Sequence, residues 1–129
     1  VVTGVPNVPD GIYYVRVVAV NSAGSSAPTP DTTVNVRIAP PNAPENAMAS
    51  TAAGGNVLIT WRAPSSGSAP SGYKVLAGYT PGVTNFEFPV AGTSLGGTGV
   101  PPATYYVRIV AVNGAGVSAP SPELTLVVP

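Results

Sequence analysis

The chain has no cysteine and no histidine, and among its 129 residues only five basic and five acidic side chains. Without thiols or imidazoles it can build no thiolate or imidazole zinc site, no cysteine or Ser-His-Asp nucleophile, no haem ligation and no disulfide scaffold. Charged residues make up 8% of the chain, against about a quarter in an average soluble domain. With a net charge of zero, the chain has no field to gather nucleic acid or an anionic membrane surface. No apolar run approaches the roughly 18 residues of a membrane-spanning helix, so no membrane insertion is expected. Neither an initiating Met nor a basic leader opens the sequence, which reads as an internal piece of a longer chain. The missing cysteines leave the compartment open, since secreted β-sandwiches also fold on packing alone.

What the chain does have is proline, glycine and β-branched residues, arranged in a repeat. Slid against itself by about 92 positions without a gap, Val8-Pro9-Asp10-Gly11-Ile12-Tyr13-Tyr14-Val15-Arg16-Val17-Val18-Ala19-Val20-Asn21 meets Val100-Pro101-Pro102-Ala103-Thr104-Tyr105-Tyr106-Val107-Arg108-Ile109-Val110-Ala111-Val112-Asn113. The echo continues: Ala23-Gly24 matches Ala115-Gly116, Ser26-Ala27-Pro28 matches Ser118-Ala119-Pro120, and Pro30 matches Pro122. About two-thirds of these positions agree, far beyond shared composition. Pro40-Pro41-Asn42-Ala43-Pro44 marks the seam, because prolines cannot donate ladder hydrogen bonds and belong at strand starts and linkers. The expected organisation is a partial repeat over residues 1–38 and a complete one over 39–129.

Within 39–129 the signals are all strand and turn, and no segment reads as a helix. A first strand opens at Met48. Asn56 to Arg62 alternates so that Val57, Ile59 and Trp61 share a face, and Tyr73, Val75 and Ala77 do the same in the next strand. Phe86, Phe88 and Val90 make a short strand after Thr80-Pro81-Gly82, and Leu95 a weak one. Tyr105 to Val112 hairpins through Asn113-Gly114-Ala115-Gly116 into a last strand near Leu124 to Val128. About seven strands is the count of an aligned sandwich.

These residues resemble a fibronectin type III domain over the whole complete repeat. The resemblance rests on Pro41-Asn42-Ala43-Pro44, on Trp61 followed by Pro64, and on Gly72-Tyr73-Lys74-Val75. It rests also on Tyr105-x-Val107-x-Ile109-x-Ala111-Val112-Asn113-x-x-Gly116 and on Ser118-Ala119-Pro120-Ser121. It implies an all-β, seven-stranded immunoglobulin-like sandwich, preceded over Val8 to Arg37 by the last two strands, F and G, of another such module. It also implies that Trp61 packs between the sheets and that Tyr105, with Tyr13 its copy, makes a tyrosine corner back to nearby backbone. The expected structural core is Trp61, Tyr73, Val75, Tyr105, Val107 and Ile109. In wording the strands look most like tandem modules of secreted bacterial proteins.

The residues carry little chemistry. The acids Asp10, Asp31, Glu45, Glu87 and Glu123 are scattered, with no two adjacent, so solubilising charge is the bland reading and paired-carboxylate catalysis the weaker one. No Asp-rich loop suggests calcium. Gly92, Gly96, Gly97 and Gly99 lack the following Lys and helix of a phosphate cradle and read as turn and edge glycines. No Arg-Gly-Asp tripeptide and no Asn-x-Ser/Thr sequon is present. The expectation is no catalytic, cofactor or metal site. One candidate interface stands out: the outward side of strand F, where Tyr106, Val110 and Val112 flank Arg108 beside Leu76, echoed by Tyr14 and Arg16. An apolar face with one charge suits a partner, although β-propensity alone also places Val and Tyr there.

The function these readings favour is a non-catalytic extracellular structural, spacer or adhesion module of a tandem array, or part of a surface appendage. The alternatives are an accessory linker module of a secreted polysaccharide-degrading enzyme, and a module binding a protein or glycan. Partners would be neighbouring modules or other copies, the latter through strand complementation or homo-oligomers, because two strands parted from their sandwich expose Tyr13, Val15, Val17 and Ala19. Truncation of a longer chain is the simpler account of that half-repeat.

Overall fold

The computed structural model describes residues 8–9 and 11–129, and Asp10, one of the five acids, lies outside them. The described residues are strands and turns throughout. They fall into two compact units, one ending at Ile38 and the other spanning Ala39–Pro129.

The first unit is a long hairpin. Strand β1 (Gly11–Val15) pairs antiparallel with β4 (Thr32–Val36), placing Tyr13 opposite Val34. Between them β2 (Val20–Asn21) and β3 (Gly24–Ser25) close on a tight turn. The Asn21 side-chain oxygen accepts from Ala23 N–H at 2.8 Å, a local bond that lets asparagine hold a turn.

The second unit is a two-sheet sandwich. Strands β5 (Glu45–Ala52), β6 (Asn56–Arg62) and β9 (Ser94–Gly97) form one sheet in the order β5-β6-β9. The other runs β8 (Phe86–Val90), β7 (Gly72–Gly78), β10 (Ala103–Asn113), with β11 (Gly116–Val117) and β12 (Leu124–Val128) both along the far side of β10. Period-two alternation decides which side chains meet between the sheets. Ile59 and Trp61 come from the first sheet; Tyr73, Val75, Tyr105, Val107 and Ile109 face them from the second, all at most 6% exposed. These residues form the buried core together with Ala77, Ala111, Leu126 and Val128. Trp61 meets Tyr73 edge to face, ring centres 5.5 Å apart, the geometry aromatic quadrupoles favour.

The first strand departs from expectation. It begins at Glu45, not Met48, and its register with β6 slips between those residues, where Asn46 takes a left-handed φ of 50°. The slip leaves Met48 66% exposed, while Ala47 and Ala49 pack on the core. A bulge changes which residues face inward, and a period-two pattern cannot foresee it.

Candidate functional site

Strand β10 sets the chemistry of both faces of its sheet. Inward lies Tyr105, whose hydroxyl donates to Pro101 carbonyl at 3.0 Å; burial, with Tyr79 beside it, pushes the phenol up. The first unit repeats this bond, Tyr13 hydroxyl donating to Pro9 carbonyl at 2.8 Å. Both tyrosine corners implied by the family resemblance are present.

Beyond the corner, β10 meets a stretch that cannot pair as an ordinary strand, because Pro120 and Pro122 have no N–H. Two serines replace the lost ladder. Ile109 N–H donates to Ser121 Oγ at 2.9 Å and Ala111 N–H to Ser118 Oγ at 2.8 Å. In return Ser121 N–H reaches Ile109 carbonyl and Ser118 N–H reaches Ala111 carbonyl, each at 2.8 Å. The first unit makes the same four bonds at the same offset: Val17 N–H to Thr29 Oγ1 at 3.0 Å, Ala19 N–H to Ser26 Oγ at 2.9 Å, and the returns Thr29 to Val17 and Ser26 to Ala19. What differs is cover. Val107 is 1% and Ile109 0% exposed, whereas Val15 is 44% and Val17 63% exposed.

The outward face of the sheet holds the candidate interface. Arg108 lies opposite Leu76, as expected, and Val110 opposite Lys74. Four charges occupy this face rather than one. Arg108 Nη2 donates to Thr84 Oγ1 at 2.9 Å, and its Nε sits 3.7 Å from Glu123 Oε2, an ion pair too long for a hydrogen bond. Glu123 also accepts from Gly82 N–H at 2.8 Å, so the carboxylate ties the β7–β8 turn to the last strand. Lys74 and Glu87 pair at 2.7 Å. Val110 is only 5% exposed, and Tyr106, Arg108 and Val112 are half-buried. With Val110 covered, no open apolar patch remains at that position. In the first unit Tyr14 is 71% exposed and Arg16 pairs with Asp31 at 3.2 Å. Glu123 was missed as a partner of Arg108, yet the repeat carried the signal: Arg16 and Asp31 recur as Arg108 and Glu123.

Among the described residues, no three or more His, Cys, Asp or Glu gather where they could hold a metal ion. No helix among them is long and apolar enough to cross a membrane. Glu45 carries a carboxylate shift on geometry alone: its Oε1 accepts from Ser65 N–H at 3.1 Å and Ser65 Oγ–H at 2.8 Å. Those bonds, with Arg62 adding a little, hold its carboxyl below the usual 4.5. A depressed folded value stabilises the fold above the unfolded value, and that contribution is lost as pH falls through the folded one. Glu45→Gln should therefore lower the melting temperature slightly at pH 6, and the difference from wild type should shrink as pH falls through the carboxylate range. An unchanged difference across that range would show that the charge is not what Ser65 stabilises.

The strand order, the Trp–Tyr core and the tyrosine corner define an immunoglobulin-like β-sandwich of the fibronectin type III kind, and the chain has that fold. No family model matches it. Contactin-1 of Bos taurus is 41% identical over 71 residues, which are 53% of this chain and 7% of contactin-1. The chain therefore spans only a small part of that relative. Among solved structures, FN1-FN3 of chicken CNTN1 superposes with a TM-score of 0.63 at 19% identity, covering 95% of this chain and 44% of that one. Domains d3-d4 of the rat CD45 extracellular region give 0.65 at 16% identity, over 96% and 67%. The FN5 domain of Drosophila Lar gives 0.55 at 21%, over 69% and 97%. These are animal proteins, and they do not bear on the expected likeness to bacterial modules.

Proposed function

We infer that the chain is a non-catalytic structural or adhesion module of an extracellular tandem array, in which residues 39–129 form one complete repeat and residues 1–38 the closing hairpin of another. The observation that carries this reading is the bond-for-bond recurrence of the hairpin. Corner, serine or threonine clamp, asparagine turn and arginine–carboxylate pair all return at the same offset. Selection for a single catalytic or binding site does not ask for a duplicated scaffold, whereas an array does. The named likenesses to contactin-1 and to the CD45 extracellular region support an extracellular setting. Partners on this reading are neighbouring modules or other copies.

A fusion tests it. Placing a copy of residues 39–99 directly ahead of Val8 restores the repeat register and offers the hairpin the strands that cover its counterpart. In the original chain, the amides of Val15, Val17 and Ala19 should exchange fast and the mass by light scattering should rise with concentration, because an open apolar strand face associates. In the fusion those amides should be protected at least a hundredfold and the mass should stay monomeric. Unprotected amides in a fusion whose second repeat is intact would refute the half-repeat assignment.

A further inference from the structure

The sandwich is not closed on every side. Between the edge strands β8 and β9 a cleft of about 470 Å³ runs inward from the surface to Val75, Val107 and Ile59. Strand β9 lines one side of it. Leu95 pairs with Ile59 and Gly97 with Val57, so both residues face the core, two apart on one side of the strand. Leu95 fills its place and packs on the core. Gly97 has no side chain of its own, and Val57 Cγ2 and Val100 Cγ2 close in to 3.2 and 3.5 Å of where a Cβ would stand. Across the gap, Phe86 and Phe88 stand opposite the inward residues Ala77 and Val75, so they too face inward, yet they remain 38% and 44% exposed. Tyr79 completes one end, its ring 5.4 Å from both Phe86 and Tyr105.

We propose that this inter-sheet cleft binds a small uncharged hydrophobic molecule, of one to three aromatic rings or a medium-length alkyl chain. The volume falls in the range of small-molecule sites, about 300–1,000 Å³, which are typically apolar and aromatic with few polar groups. No charged residue lines it, so an ionised ligand would lose its hydration without gaining a counter-charge. The polar groups at hand are the phenols of Tyr79 and Tyr105, and the second is already committed to Pro101 carbonyl. A neutral ligand with at most one hydrogen-bonding group fits that inventory. The lips suit an added peptide strand poorly, since β9 is four residues long and Pro89 removes a donor from β8. A patch of this kind left open in water is a marker of binding.

The full chain is titrated with the neutral fluorescent probe N-phenyl-1-naphthylamine, and methyl chemical shifts are followed at the same time. Saturable one-site binding is expected, with shifts concentrated at Val57, Val75, Leu95, Val100 and Val107. Gly97 does not have the left-handed φ of the chain's turn glycines, so Gly97→Leu brings no backbone strain, although its Cβ meets Val57 Cγ2 at 3.2 Å and that side chain must give way; the variant should weaken the probe at least tenfold while keeping the strand circular dichroism of the folded sandwich. Phe88→Ser, on a half-exposed edge position, supplies a second variant and should weaken binding several-fold with the fold intact. Met48→Ser, on an exposed position outside the cleft, should bind as wild type. Equal binding by Gly97→Leu and Phe88→Ser, or shifts centred on Val15 and Val17 of the exposed hairpin, would overturn the proposal. So would a concentration-dependent mass that Gly97→Leu abolishes, because the cleft would then belong to a second copy.

Discussion

Replacing Trp61 with Ala should cost the sandwich about 3–5 kcal/mol, the usual loss when a buried Trp is truncated in a core that cannot collapse around it. The ring is 4% exposed and held edge-on by Tyr73, and neighbours fixed in two separate sheets have little freedom to move into the vacancy. Whole-domain stability is typically about 5–15 kcal/mol, so the variant should unfold at much lower urea or be largely unfolded at room temperature. Trp61 is the chain's one tryptophan, and unfolding must therefore be followed by far-ultraviolet circular dichroism. Trp61→Phe should be milder than its volume loss suggests. The indole N–H is buried with no hydrogen-bond partner, and removing an orphaned donor returns part of what the lost contacts cost. A loss below about 1 kcal/mol for Trp61→Ala would mean that the two sheets are held by something other than this core.

Much of this fold was legible in the sequence, and the reasons differ by element. The alternation in β6 and β7 puts Trp61, Tyr73 and Val75 on inward faces by period two alone, whereas the inward place of Tyr105 came from the family resemblance, because β10 reads apolar on both of its faces. The hairpin recurs in structure as in sequence because its bonds are local, made by Asn21, Ser26 and Thr29 and by their counterparts within one supersecondary unit. Met48 was misplaced for a different reason: a bulge inserts a residue without altering composition. Val110 was read as an open interface residue. It is 5% exposed and stands opposite Lys74, a juxtaposition set by the pairing of β7 with β10 and not by neighbours in the chain. The cleft has no sign in the sequence, where Gly97 reads as an edge glycine; only the pairing of β9 with β6 puts it on the core-facing side of its strand.

The clearest separation of local structure from burial should come from the serine clamp. Ser118→Ala and Ser121→Ala should each cost about 1–3 kcal/mol, because each strands a backbone N–H in a site that water does not reach. Ser121 is 3% and Ser118 9% exposed, and the donors Ile109 and Ala111 are fully buried. The prolines on either side of Ser121 offer no N–H with which the chain could re-pair after a shift, so the loss cannot be relaxed away. The corresponding changes in the first hairpin, Ser26→Ala and Thr29→Val, remove bonds of nearly the same length, 2.9 and 3.0 Å. There the freed N–H groups of Ala19 and Val17 face water, which replaces the lost acceptor, and the expected change is within about 0.5 kcal/mol. Urea titration of all four variants makes the comparison, with amide exchange at Ile109 and Ala111 as the local readout. In the fusion that covers the first hairpin, Ser26→Ala and Thr29→Val should rise to the cost of their counterparts. If they stay silent while the hairpin amides are protected, the two hairpins share their bonds but not their packing, and equivalence of the two repeats ends at the backbone.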